Sequence, residues 1–228
     1  KMIELIKNFF NRNLYERILS GILFVIPFIY LIHMGGIFFV LFFILLLVII
    51  IYEFNESSKN MISLWFRLLT IMIFIASFFH FIFLRISHDS FIVEYLIYIV
   101  FSIWIFDSFS MIGGRLIRGR KIMPSISPNK TYSGLITGII SLILFSTSLI
   151  IYYELDNFIF MFTLAIGLIS FVGDAIESSI KRFLKIKDFS NLLPGHGGII
   201  DRMDAFILFF LIHFFFSILI FNPLNLYV

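Results

Sequence analysis

The 228-residue chain contains no cysteine and few charged residues. The lack of cysteine excludes disulfides, zinc–thiolate sites, iron–sulfur clusters and a cysteine nucleophile. Only 14% of the residues are charged and 61% are hydrophobic, whereas a soluble domain has about 25% charged and about 45–50% apolar residues. A water-soluble enzyme is therefore excluded, and so is a disordered chain, because disorder requires low hydrophobicity. The net charge of +3 is too small to indicate nucleic-acid binding.

The hydrophobic residues are gathered into seven long runs, and mean hydropathy is +1.06. A bilayer core about 30 Å thick is crossed by about 20 apolar residues in a helix, and the runs lack the alternation of barrel strands. We therefore predict an all-α, polytopic integral membrane protein with about seven transmembrane helices. The predicted spans are 18–34, 36–53, 62–84, 91–112, 134–153, 158–176 and 203–221. Gly35 and Gly36 predict a tight turn between the first two spans.

The basic residues predict the orientation, because Lys and Arg accumulate on the cytoplasmic side of a membrane. With a cytoplasmic N-terminus, Arg85 alone of the 17 basic residues falls on the outer side. Residues 1–17 are amphipathic and predict a helix on the inner surface. We divide the remainder into N-terminal membrane helices, 18–106, and a C-terminal catalytic region, 107–228, which holds two long basic connections at 107–133 and 177–202.

Four carboxylates at the inner ends of the last two spans form the candidate site. Asp174 and Glu177 are three residues apart and share one helix face, and Asp201 and Asp204 have the same spacing. A carboxylate at membrane depth costs about 2.5 kcal/mol or more unless it is paired or binds a cation. One interpretation is an ion pair between Asp174 and Lys181 or Arg202. The other is a Mg²⁺ site formed by aspartates of neighbouring helices.

Two loops at the same membrane face have compositions that suit phosphate. The glycine-rich segment 194–198 directly precedes the last helix, where backbone amides can approach an anion closely. It can equally form a simple turn in which His196 is structural. The segment 125–134 combines hydroxyl groups with Lys130. The alternative interpretation there is an N-capped turn with Lys130 reaching the surface.

The segment 178–204, SSIKRFLKIKDFSNLLPGHGGIIDRMD, resembles the C-terminal motif of the phosphatidate cytidylyltransferases, also called CDP-diglyceride synthases. Upstream segments are similar to that family as well, so the resemblance covers most of the chain and is strongest from 104 to 204. The matching positions of the motif are Ser178, Lys181, Arg182, Lys187, Asp188, Ser190, Leu193, Pro194, His196, Gly197, Gly198, Asp201, Arg202 and Asp204. The upstream matches are Glu53, Trp104, Asp107, Gly113, Gly114, Arg115, Ser127, Pro128, Lys130, Thr131, Ser170, Gly173, Asp174 and Glu177.

The resemblance implies cytidylyl transfer from CTP to phosphatidate, giving CDP-diacylglycerol and pyrophosphate at the cytoplasmic face of a bacterial-type inner membrane. It implies Mg²⁺ bound by Asp174 and Asp201, with a second cation and a homodimer left open, and no nucleic-acid partner. The implied catalytic residues are Asp174, Asp201, Glu177, Asp204 and Lys181. The implied substrate-binding residues are Ser127, Lys130, Arg182, Lys187, His196, Gly197, Gly198 and Arg202.

Two other functions are compatible with a basic membrane face. One is a CTP- or ATP-dependent kinase of polyprenol or phytol, which would leave a monophosphate lipid rather than a CDP-lipid. The other is an anion transporter, but transporters bind their substrates near the bilayer midplane. The charges of this chain lie at the ends of the predicted spans on one side, which favours chemistry at the membrane surface.

Overall fold

The computed structural model describes residues 25–87, 90–192 and 197–220. The predicted surface segment 1–17 and His196 lie outside these residues. The described helices are α1 (Val25–Met34), α2 (Gly36–Ser58), α3 (Leu64–Ser87), α4 (Ser90–Leu116), α5 (Tyr132–Tyr153), α6 (Phe158–Phe183) and α7 (Ile200–Ile220). Between α4 and α5 lie two short strands, β1 (Lys121–Met123) and β2 (Ser127–Thr131).

Helices form along the predicted apolar runs because a backbone in lipid must satisfy its hydrogen bonds internally. Within the described ranges, the five helices α2 to α6 are long and apolar enough to cross a membrane. A helical membrane protein is thereby confirmed. Helix α7 covers most of the predicted seventh span, and α1 covers the described part of the first. Neither is among the five, so the number of spans stays a prediction.

The connection between α4 and α5 is more ordered than the sequence predicts. Strands β1 and β2 pair antiparallel, with Lys121 opposite Thr131 and Met123 opposite Ser127. The side chain of Thr131 then accepts a hydrogen bond from the Gly134 amide at 3.1 Å, which caps α5. Strands of three and five residues are too short to leave a recognisable alternation in the sequence.

Part of the large phenylalanine content fills a core between α1, α2, α3 and α7. Ring centroids are 4.9 Å apart for Phe28 and Phe43, and 4.9 Å apart for Phe81 and Phe206, both in edge-to-face contacts. Such contacts add about 0.5–1.5 kcal/mol each to the burial of the rings. Because α7 also packs along α6, this core joins the last two helices to the first three.

Arg85, the basic residue predicted on the outer side, hydrogen-bonds to the C-terminal end of α1. Its Nε donates to the carbonyl of Ile32 at 2.6 Å and its Nη2 to that of His33 at 3.1 Å. These carbonyls belong to the last turn of a helix and have no partner within it. Gly35 and Gly36, both at φ 66, form the predicted tight turn next to them.

The two long basic connections meet the end of α2 at the opposite end of the bundle. Ser57, at the end of α2, donates to the carbonyl of Phe189 in the α6–α7 connection at 3.0 Å. Arg182 in turn donates from Nε to the carbonyl of Ile126 in the hairpin turn at 3.1 Å. The candidate site lies where these connections come together.

A group of three hydrogen-bonded polar side chains lies between the helices, away from the basic end of the bundle. Nε2 of His80 is 2.7 Å from Nδ1 of His213, whose Nε2 is 2.9 Å from the hydroxyl of Tyr95. These residues link α3, α7 and α4. Interhelical hydrogen bonds of this kind contribute about 0.6–2 kcal/mol in membrane proteins, so we assign them a role in packing.

Candidate active site

Three carboxylates converge where α6 meets α7, and we call them the acidic cluster: Asp174, Glu177 and Asp204. Each offers an oxygen that lies within 4.8 Å of the others. Gly173 allows this approach of the helices, because a Cβ there would lie 3.1 Å from Cα of Ala205. Oε1 of Glu177 is buried and has no hydrogen-bond partner among the described residues. An all-oxygen donor set with one unpartnered buried oxygen fits a hard divalent cation.

Lys181 lies between the acidic cluster and Asp201. Its Nζ is 2.7 Å from Oε2 of Glu177 and 2.8 Å from Oδ1 of Asp201, and all three side chains are largely buried. The other Asp201 oxygen accepts hydrogen bonds from the amides of Gly198 at 2.8 Å and Phe189 at 3.1 Å. Burial alone would raise the pKa of Asp201, but its hydrogen bonds and the Lys181 charge hold that pKa below its ordinary value. Asp201 is therefore ionised at neutral pH.

The two aspartates predicted to bind metal thus occupy one site but different positions in it. Asp174 belongs to the acidic cluster, whereas both oxygens of Asp201 are engaged by Lys181 and by backbone amides. Asp204, which the resemblance implies as a catalytic residue but not as a metal ligand, takes the third position of the cluster. The pairing of Asp174 with Asp201 around Mg²⁺ stays a prediction.

Lys130 brings the hairpin into this site. Its Nζ is 2.7 Å from Oδ2 of Asp174 and lies 4.6 Å from the centroid of the Phe171 ring. Asp174 is the more open partner, with 44% of its side chain exposed against 13% for Lys130. The cap formed by Thr131 and the site contact of Lys130 therefore occur together, although the sequence offered them as alternatives.

Glu53, near the end of α2, fixes the chain just before α7. It is 2% exposed, and its Oε1 accepts hydrogen bonds from Oγ of Ser190 at 2.5 Å and the amide of Ile199 at 3.1 Å. Its Oε2 accepts the amide of Ile200 at 3.0 Å. The carboxylate therefore caps the start of α7. A Cβ on Gly198 would lie 2.8 Å from Oε2, so a side chain at this position would displace the Glu53 carboxylate.

The sequence alone gave Glu53 no role beyond its match to the family. The signal that could have indicated one is its place in an extremely apolar helix, where a carboxylate needs a partner. The partners are 137 to 147 residues away along the chain, and helical periodicity cannot reveal contacts of that kind.

The other predicted substrate-binding residues differ in their contacts and exposure. Arg182 ties the hairpin turn to the end of α6 through the bond described above. Lys187 and Arg202 are exposed. Gly197 has a φ of 88, and a Cβ there would lie 2.9 Å from the Asp201 carboxylate, so its backbone is held in a form that favours glycine.

A cavity of about 580 Å³ opens between the hairpin and helices α4, α5 and α6. This volume is typical of sites for small molecules. Asp174 is part of its wall, so the cavity adjoins the acidic cluster. Asp107 also lines it and accepts a hydrogen bond from Ser170 at 2.8 Å. The cationic and hydroxyl side chains of its wall are Arg115, Arg118, Lys121, Lys130, Ser110, Ser127 and Thr131.

Replacing Lys181 with alanine is expected to reduce kcat/KM at least about 100-fold. The change would remove a cation that can stabilise transition-state charge, a loss that costs about 10²–10³ in rate. It would also leave two buried carboxylates without their shared cation, which lowers stability by about 3–5 kcal/mol. Lys185→Ala is the matched control, because Lys185 is exposed and outside the cluster. Initial rates and unfolding midpoints in detergent would be measured for both. Equal losses in the two variants would contradict the role given to Lys181.

The chain is similar to known proteins over most of its length. The family model described as cytidylyltransferase family matches residues 4–220. A phosphatidate cytidylyltransferase of Rickettsia felis is 35% identical over 220 residues, covering 92% of this chain and 94% of that protein. Its counterpart in Rickettsia bellii is 36% identical over 207 residues, or 86% and 87% of the two chains. The protein of the same name from Bacillus subtilis is 36% identical over 139 residues, or 59% and 51%.

These similarities confirm the resemblance that the motif at 178–204 carries. The match extends across nearly the whole chain. The structure of that chain is a bundle of apolar helices with the acidic cluster at its basic end. The chain belongs to the cytidylyltransferase family.

Proposed function

We propose that the chain transfers a cytidylyl group from CTP to phosphatidate, forming CDP-diacylglycerol and pyrophosphate. The relatives described above are named for this reaction. The observation that carries the proposal is the acidic cluster next to two largely buried lysines, at the basic end of a helical membrane bundle. This arrangement suits a reaction between a lipid phosphate and a water-soluble nucleotide.

In the reaction a phosphate oxygen of phosphatidate attacks the α-phosphorus of CTP. The bond from that phosphorus to the bridging oxygen of the β-phosphate breaks, and pyrophosphate leaves with the electron pair. A phosphate monoester has a second pKa near 6, so the attacking oxygen needs no general base. The barrier is the repulsion between two anions, and positive groups that offset it lower the barrier. Lys130 and Lys181 are placed to do this at either side of the acidic cluster.

The residues that would hold Mg²⁺ are those of the acidic cluster, with Asp174 as the member closest to the cavity. A bound Mg²⁺ would neutralise phosphate charge and align the reacting groups. The unpartnered Oε1 of Glu177 supports this assignment. Asp201 would keep Lys181 and the Gly198 amide in place, and its direct ligation of a first or second cation is the part of the proposal that mutation must decide.

The proposed orientation has seven spans, a cytoplasmic N-terminus and the site at the cytoplasmic face. Two observations support it. The basic connections converge at one end of the bundle, and Arg85, at the other end, is engaged by carbonyls of α1. CTP would then reach the site from the cytoplasm, and phosphatidate would enter laterally from the membrane.

Purified protein in detergent, given CTP and phosphatidate, is expected to produce a lipid with the mass of CDP-diacylglycerol. EDTA should stop the reaction and added Mg²⁺ should restore it, because the acidic cluster without a cation would repel both substrates. Mass spectrometry of the lipid fraction checks the product. A monophosphate lipid formed from polyprenol or phytol would instead indicate a kinase, and turnover that persists in EDTA would contradict the proposed mechanism.

A further inference from the structure

The cavity between the hairpin and helices α4, α5 and α6 contains three cations that the sequence did not assign to substrate: Arg115, Arg118 and Lys121. We propose that this cavity binds the triphosphate of the nucleotide and that these three side chains hold the leaving β- and γ-phosphates. The inference rests on the proposed function. The inference adds that the cavity binds the nucleotide and that these three side chains hold its leaving phosphates.

The position of the cavity relative to the acidic cluster gives the direction of the nucleotide. Asp174 and Lys130 line the cavity and also belong to the site where the α-phosphorus must react. No described residue of α7 lines it, so the cavity extends from Asp174 away from the Asp204 side of the cluster. Attacking and leaving oxygens lie roughly in line in phosphoryl transfer. A lipid that attacks from the side of α7 would therefore expel pyrophosphate into the cavity.

The chemistry of the wall suits a polyphosphate. Guanidinium and ammonium groups form strong, charge-assisted hydrogen bonds with phosphate oxygens, and Ser127 and Thr131 add hydroxyl groups. Gly119 also lines the cavity, at φ 126, and a Cβ there would meet only Oγ of Ser133, at 3.7 Å. The backbone at Gly119 is therefore open to a close approach by an anion.

The location of the cations favours the nucleotide over the lipid phosphate. Arg115 lies in the last turn of α4, and Arg118 and Lys121 follow after the apolar helix has ended. All three are exposed, which places them on the aqueous side of the site. A phosphatidate headgroup carries a single phosphate and is held near the membrane by its acyl chains, whereas CTP presents three phosphates from solution.

Arg118→Gln and Lys121→Gln are each expected to raise the KM for CTP about tenfold, the loss of one charge-assisted contact. The KM for phosphatidate should change less than about twofold in the same variants. Arg120→Gln is the matched control, since Arg120 is an exposed cation in the same segment that does not line the cavity. It is expected to leave both KM values unchanged. Unfolding midpoints would verify that the variants are folded.

Binding of inorganic pyrophosphate to the detergent-solubilised protein, measured by titration calorimetry, gives a second readout without turnover. Pyrophosphate should bind about tenfold more weakly to the two cavity variants than to the native protein or to Arg120→Gln. A raised KM for phosphatidate with an unchanged KM for CTP would overturn the inference and assign the cavity to the lipid. Unchanged values for both substrates and for pyrophosphate would also overturn it. If the native protein makes no CDP-lipid, the proposed function fails, while the titration still decides whether the cavity binds a polyphosphate.

Discussion

Asp174→Asn is expected to reduce kcat at least about 100-fold while the protein still folds and inserts. The change removes one carboxylate of the acidic cluster and the ionic partner of Lys130, and loss of one group that stabilises a charged transition state costs about 10²–10³ in rate. Steady-state rates and the unfolding midpoint in detergent check this. Glu56→Gln is the matched control, because Glu56 lies on α2 at the same end of the bundle, is 48% exposed and pairs only locally with Lys59. Near-normal turnover of Asp174→Asn would refute the site assignment.

Asp201→Asn is the companion variant, and its turnover is expected to fall as far. The Mg²⁺ concentration at half-maximal rate separates two ways in which Asp201 could act. If Asp201 ligates the cation directly, that concentration rises. If it acts by holding Lys181 and the Gly198 amide, as its contacts in the structure indicate, kcat falls and the Mg²⁺ requirement stays close to that of the native protein.

Glu53→Ala is expected to lower both stability and kcat, the latter at least about tenfold. The buried amides of Ile199 and Ile200 would lose their acceptor, and each unsatisfied buried amide costs about 1–3 kcal/mol. Because these amides open α7, the positions of Asp201 and Asp204 would loosen with them. Thermal unfolding and steady-state kinetics measure the two effects separately, and Glu53→Gln should recover part of the activity because the amide oxygen can still accept one of the bonds.

Ser77→Ala provides the control for a purely structural effect on α7. Ser77, on α3, donates a hydrogen bond to the carbonyl of Ile207 on α7 at 2.9 Å, away from the acidic cluster. We expect this variant to lower the unfolding midpoint with little change in kcat measured below the transition. A loss of kcat in Ser77→Ala equal to that in Glu53→Ala would show that Glu53 acts through stability alone.

Much of the site could be predicted because its residues are related by short spacings along single helices. Asp174, Glu177 and Lys181 follow one face of α6, and Asp201 and Asp204 share a face of α7, as an i to i+3 or i+4 relation requires. The long apolar runs likewise predicted the helices, since lipid leaves the backbone few other structures. The described helix ends lie within about five residues of the predicted ones, except that α6 continues to Phe183, beyond the predicted 176, because its charged last turns stay helical outside the apolar run.

The parts of the site that could not be predicted depend on which helices pack against each other. Helical periodicity relates residues on one helix but does not say that the end of α2 lies under the start of α7. The capping role of Glu53 and the engagement of both Asp201 oxygens follow from that packing. The spacing also could not show that Asp204 would join Asp174 and Glu177 in the acidic cluster while Asp201 contacts Lys181.

The hydrogen bonds from Glu53 to the start of α7 mean that the segment before α7 depends for its position on a residue of the N-terminal part of the chain. A chimaera that joined the first three helices of one relative to the last four of another would have to match the acid near the end of α2 with the serine and glycine it contacts, Ser190 and Gly198. Exchange of this acid and these small residues between homologues would therefore be permissible only as a set.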